Sequence, residues 1–266
     1  MQEKLFPVVD ISYLTEHFGG DSSQWRDNTE FKQNQHIHDL ANELRAGFET
    51  WGFLYIKGHN IPDNLVENAF NHSLTFFQKP LQQKSSFLRG KGINEGWFGP
   101  EHEVFDTVNR ARDMKEAFDF RPDTDLVNRL SGNQPDFVNG LTELFDYCTE
   151  LALKFLRLLA VALGIDTEKY AEMHSLMGDG KVNGTSLRTL FYPEVITDDA
   201  DSHGGQQEVR RRIHEHTDYG TITLLFQDQV GGLEVKRLYY LIIFILKLVV
   251  PIEKESFLKS LFFSSY

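Results

Sequence analysis

The stretch "PDFVNGLTELFDYCTELALKFLRLLAVALG", Pro135 to Gly164, constrains the fold more than any other segment. Phe137, Leu141, Leu144, Cys148, Leu151, Phe155 and Leu158 recur at alternating spacings of four and three and form one apolar stripe, with Gly164 as the stop. A helix this long and apolar has to be covered along its stripe, so it braces a core. Ahead of it, Ile37, Leu40, Ala41, Leu44 and Phe48 predict a helix over Glu30 to Thr50, and "GFLYIKG" reads as a buried strand. A further helix is expected from Pro62 through Val66, Phe70 and Phe77 to a stop at Pro80, and "FPVVDIS" reads as a short opening strand.

From Ser186 the period changes. "SLRTLFYP", "TITLLFQD" and "GGLEV" are short, β-branched or aromatic, and separated by turn residues, which predicts β structure carried on an N-terminal helical frame. Between the two, "LRGKGINEGWFGPEHEVFD" is glycine-rich and reads as loop and irregular strand.

A second shift begins at Arg237. The segment "RLYYLIIFILKLVVPIEKESFLKSLFFSSY" contains no Gly, Asp, Asn, Gln, His, Ala or Thr. Its apolar part, Leu238 to Val250, is 13 residues long and includes Lys247, short of the roughly 20 residues a membrane-spanning helix needs. A buried or aggregating β-prone segment is the expectation.

The net charge of −12 argues against a nucleic-acid backbone or an anionic membrane as main partner. The single cysteine, Cys148, lies in the apolar stripe and has no internal partner for a disulfide, which fits a reducing compartment such as the cytoplasm. "MQEKLFPVVDIS" carries no secretion signal pattern.

Chemistry concentrates in "RIHEHTDYGTITLLFQD". In an extended chain, residues two apart share a face with α-carbons about 6.6 Å apart, so His216 and Asp218 can converge on one ion. An imidazole and a carboxylate with open positions beside them are two of the three protein donors that hold non-haem iron(II) for oxygen chemistry. His214 lies twice as far from Asp218 along a strand and is read as supporting or solvated. The helical zinc-protease pattern fails, because Asp218 stands where its second histidine would be. A metal pair of the His-x-His type built on "HEH" fails too, since Gly220 and Thr221 occupy the positions of the expected glutamate. Alone, a His-x-Asp pair such as His216 and Asp218 reads first as a capping aspartate beside a surface histidine, and only its context favours a metal.

The surroundings of the pair resemble a known family. "HTDYGTITLLFQDQVGGLEV" is similar, nearly position for position, to the iron-binding segment of the iron(II)/2-oxoglutarate-dependent dioxygenases of the isopenicillin N synthase type. "FPVVDIS", "ETWGFLYIKGHNIP", "FFQKPLQQK" and "LRTLFYP" resemble further family segments in the same order. The resemblance implies an α+β protein with a double-stranded β-helix, or jelly roll, on an N-terminal frame. It also implies iron(II) at His216 and Asp218, 2-oxoglutarate as cosubstrate, Tyr192 holding the cosubstrate's distal carboxylate, and oxidation of a small molecule by molecular oxygen. An oxidase of the same family that does not use 2-oxoglutarate stays open. Arg188 matches the same motif and is read as a structural salt bridge, Gly231 and Gly232 as a turn. Lys115 and Glu116, in "DMKEAFDF", are read as a surface pair at the pocket's edge, and the loop from Gly96 to Phe105 as pocket lining.

The family completes its site with a second histidine and an Arg-x-Ser. From Tyr219 onward no histidine occurs, Arg237 is the only arginine, and there is no Arg-x-Ser. The chain is therefore divided into a helix-rich region over 1–180, the start of a jelly roll over 181–236 and an atypical tail over 237–266. The expectation is an incomplete jelly roll and an impaired iron site, the tail being joined by truncation, splicing or a faulty gene boundary. A non-catalytic truncated paralogue or binding protein is the alternative.

Overall fold

The computed structural model describes residues 6–19, 29–90, 94–99, 114–193, 212–213, 216, 218, 220–228, 230, 232–234 and, for backbone alone, 246–251 and 258–265. In chain order the elements are β1 (Val8–Asp10), α1 (Ser12–His17), α2 (Thr29–Gln33), α3 (Gln35–Trp51), β2 (Phe53–Lys57), α4 (Asp63–Phe77), α5 (Leu81–Ser85), β3 (Gly96–Phe98) and β4 (Glu116–Phe120). They continue with α6 (Asp125–Ser131), α7 (Pro135–Leu163), α8 (Thr167–Glu172), β5 (Ser186–Phe191), β6 (Ile222–Gln227), β7 (Leu246–Pro251) and β8 (Leu258–Ser265).

The helices end where local chemistry stops them. Asn34 caps α3, its side-chain oxygen accepting from the His36 and Ile37 amides at 2.9 and 3.4 Å. Gly52 and Gly164 close α3 and α7 at φ of 68° and 66°, a left-handed conformation that glycine adopts without a Cβ clash. The expected stripe of α7 is buried throughout, and α3, α4, α6 and α8 pack around that helix. Aromatic rings fill the space between helices and sheet: Phe76 stacks on Phe137 at 5.0 Å and meets Phe118 edge-on at 5.1 Å. Cys148 lies fully inside this core, where burial pushes its thiol well above the usual range, as an apolar role requires.

Among the described residues the strands form one sheet in the order β1-β2-β7-β6-β8-β5-β4-β3. β1, β2, β7 and β6 run parallel to their neighbours, whereas β6, β8, β5, β4 and β3 pair antiparallel. Both tail strands lie inside this order. β7 bridges β2 and β6, with Leu54 and Leu224 each opposite Leu248. β8 bridges β5 and β6, with Arg188 and Leu225 each opposite Phe262. The described backbone of the tail, 246–251 and 258–265, is thus β structure, as its composition predicts, and it fills positions that would otherwise leave β6 without a neighbour.

β5 and β6 divide their residues between the two faces of the sheet. Leu187 and Phe191 of β5, and Ile222, Leu224 and Phe226 of β6, join the helix-side core, where Phe191 stacks on Phe77 at 5.6 Å. On the other face Leu190 joins Phe98 and Ala117 in a small apolar cluster. "GGLEV" does not form the expected strand where it is described: Gly232, Leu233 and Glu234 are irregular, and Gly232 has φ of 90°, a turn conformation. No helix among the described residues is long and apolar enough to cross a membrane.

Candidate metal centre

His216 and Asp218 precede β6 instead of lying within a strand, so the alternation argument is not what brings them together. They converge nonetheless. The Nε2 atom of His216 is 3.5 Å from Oδ1 of Asp218, and both side chains are mostly shielded. Two donors about 2.1 Å from one ion and at right angles would lie about 3 Å apart, so a small closure lets both bind one metal. A borderline imidazole nitrogen beside a hard carboxylate oxygen is a donor set that suits iron(II). Among the described residues no three or more His, Cys, Asp or Glu side chains gather in a metal-binding group. His214 and Gly231 lie outside the described residues, as does the pocket loop beyond Gly99.

The segment carrying the pair is anchored on both sides. Upstream, the Arg212 guanidinium donates to the Pro193 carbonyl at 2.9 Å, which brings it beside the end of β5. Tyr192, immediately after β5, packs against the Phe98, Ala117 and Leu190 cluster on the sheet face away from the helices. Downstream, the hydroxyl of Thr221, the residue before β6, lies 3.1 Å from Nε2 of the buried His174.

Arg188 forms the expected salt bridge, and its partner is Asp119, directly opposite it in the β4–β5 register. Nε and Nη2 of Arg188 donate to the two carboxylate oxygens at 2.6 and 2.9 Å, and Arg89 adds a third bond at 3.1 Å. This fork-to-fork geometry locks the strand pair beneath Tyr192.

Lys115 and Glu116 are not a surface pair. Both are buried, and Glu116 faces the helices: its Oε2 accepts from Lys84 Nζ at 2.6 Å and from Trp97 Nε1 at 2.8 Å. Lys84 also donates to the Phe77 carbonyl at 2.9 Å. A charged dipeptide beside a strand reads as exposed when its partner lies 32 residues away, and only the packing of α5 on β4 reveals it. His174 escaped sequence reading for a similar reason, since Thr221 is 47 positions distant.

Residues 7–138 match the family described as non-haem dioxygenase in morphine synthesis, N-terminal. The chain is 31% identical over 206 residues to the proline hydroxylase buaE of Petromyces alliaceus, covering 74% of this chain and 61% of that protein. It is 27% identical over 231 residues to the 2-oxoglutarate-dependent dioxygenase ecdK of Aspergillus rugulosus, covering 79% and 66%. The chain thus spans about three fifths to two thirds of the length of these curated relatives. A full-length Neurospora crassa protein, solved in complex with alpha-KG and thymine, superposes with a TM-score of 0.63 at 28% identity, over 100% of this chain and 75% of that one. The sequence matches and the shared fold agree: over the matched residues the chain is a relative of the iron(II)/2-oxoglutarate-dependent dioxygenases.

Proposed function

We propose that this chain is built as a non-haem iron(II)- and 2-oxoglutarate-dependent oxidoreductase that oxidises or hydroxylates a small molecule. The carrying observation is the approach of His216 Nε2 to Asp218 Oδ1, at 3.5 Å, just ahead of β6. His216 would supply a neutral imidazole and Asp218 a carboxylate; iron(II) bound there, with 2-oxoglutarate, would supply the oxidising chemistry toward oxygen and substrate. Tyr192 would offer its hydroxyl to a carboxylate of the cosubstrate. Phe98 and Leu190, packed against that tyrosine, would keep water from the same face. The named relatives include a proline hydroxylase and a structure holding thymine, which supports a small-molecule substrate. A cytoplasmic setting, in keeping with the free and buried Cys148, belongs to the same reading.

Within this 266-residue polypeptide no histidine follows Asp218. For the polypeptide over residues 1–266 we therefore propose a metal held by two protein donors, His216 and Asp218, with weak retention and slow turnover. The non-catalytic alternative draws on the same structure, because β7 and β8 occupy sheet positions beside β6 without bringing a histidine.

Succinate formation from 2-oxoglutarate, measured with added iron(II) and ascorbate, tests the reading alongside anaerobic iron(II) titration. The expected result is measurable iron binding abolished by Asp218→Ala, with slow succinate release. Absence of iron binding would remove the enzyme reading in favour of a binding protein; fast coupled turnover would remove the impairment.

A further inference from the structure

We propose that His174 is a positioning residue for the metal-binding segment, acting through the hydroxyl of Thr221; this rests on the reading of His216 and Asp218 as iron donors.

The hydrogen-bond directions follow from the partners. His174 Nδ1 lies 2.9 Å from the Tyr170 carbonyl, which can only accept, so Nδ1 carries the ring proton. In the neutral ring Nε2 then holds a lone pair, and the Thr221 hydroxyl, 3.1 Å away, donates to it. The imidazole itself is fixed. His174 is 8% exposed, its amide donates to the Ala171 carbonyl at 3.0 Å, and its own carbonyl accepts from Met177 at 2.9 Å. Tyr170 meets its ring edge-on at 4.9 Å. The turn that bears it follows α8, which packs on α7.

Thr221 is therefore tied to the helical frame at the point where β6 starts. Asp218 lies three residues earlier, and at no more than about 3.6 Å per residue its α-carbon stays within about 11 Å of that anchor. Arg212, bonded to the Pro193 carbonyl, holds the other side of the segment. The donors thus sit between two tethers, one to the end of β5 and one to the α8 turn. Loss of the Thr221 tether widens the range of Asp218 positions without removing a ligand, which lowers metal affinity while leaving the core intact. Side chains that touch a metal ligand directly change affinity about 10–100-fold when removed; a tether acting through the backbone should change it less.

The test is Mn(II) binding to the full chain, by titration calorimetry, for wild type, Thr221→Val, Thr221→Ser and His174→Ala. Thr221→Val keeps the shape and removes the donor, and is expected to weaken Mn(II) binding about 5-fold. The metal-free unfolding midpoint should move by less than about 3 °C. Thr221→Ser keeps the hydroxyl and should restore binding. A wild-type chain that binds Mn(II), with Thr221→Val binding equally well, overturns this inference and leaves the iron-site reading standing. A wild-type chain that binds none overturns both. A large stability loss in Thr221→Val with unchanged affinity shows a purely structural bond and overturns the inference. Should His174→Ala not fold, the Thr221 pair decides alone.

Discussion

The helical frame and the β6 neighbourhood are built on opposite principles. In the frame, α3, α4 and α7 carry their own instructions: periodic apolar stripes, an asparagine cap and left-handed glycine stops all act within a few residues. Around β6, the strand partners and tethers among the described residues are distant in sequence. Its parallel partner β7 and antiparallel partner β8 come from the tail, its anchor His174 from the α8 turn, and the Arg212 tether reaches back to Pro193. Local order survives changes elsewhere; order assembled from afar depends on every contributor arriving.

Removing residues 246–265 should break this contrast most sharply. β6 would lose both strand neighbours, while α3, α4, α6 and α8 keep their packing on α7, and α4 and α7 lose contacts to β8. The expected outcome is aggregation, or a chain that retains its helical circular dichroism but unfolds without a cooperative transition. A shortened chain with an unchanged, cooperative midpoint would show that the tail strands contribute nothing to the sheet.

Within the frame, Glu116→Ala should have the next largest effect, because it strands the Lys84 ammonium in a buried site, at about 3–5 kcal/mol. Adding Lys84→Met should recover most of that loss, since the buried charge goes with its partner. Urea unfolding of the single and double variants measures both. A double variant no more stable than the single one would refute this account of Glu116.

The smallest effect concerns pH. Burial holds His59 below its ordinary value of 6.5, partly offset by Asp63, so the folded chain prefers the neutral ring. The unfolded state then binds more protons over the lower range, and stability falls as pH drops through about 6.5 toward the lowered folded value. Its Nδ1 accepts from the Ile61 amide at 3.1 Å, a bond the neutral ring supports. His59→Asn should flatten the decline in urea midpoint between about pH 7 and about pH 5. An unchanged slope would assign the decline to other groups.

Legibility follows the same division. The α7 stripe, the end of α4 before Pro80 and the strands around "GFLYIKG" and "SLRTLFYP" are readable because helix and strand periods are local properties. The salt-bridge role of Arg188 is readable, but its partner Asp119 is not, since a cross-strand pair is defined by register and leaves no spacing signal. Glu116 reads as exposed because charge alone suggests solvent, and only α5 packing on β4 makes its burial tolerable.

By itself the sequence determined the frame and the β-prone tail, and it singled out His216 and Asp218 as the pair proposed to hold iron, because these depend on residue type and near neighbours. Tertiary structure decided that His216 and Asp218 meet outside a strand, that the tail enters the sheet beside β6, and that His174 tethers Thr221. The last two join atoms far apart along the chain, and the first takes its shape from the tethers on either side. Such meetings are selected by the free energy of the whole packing, which no local pattern encodes.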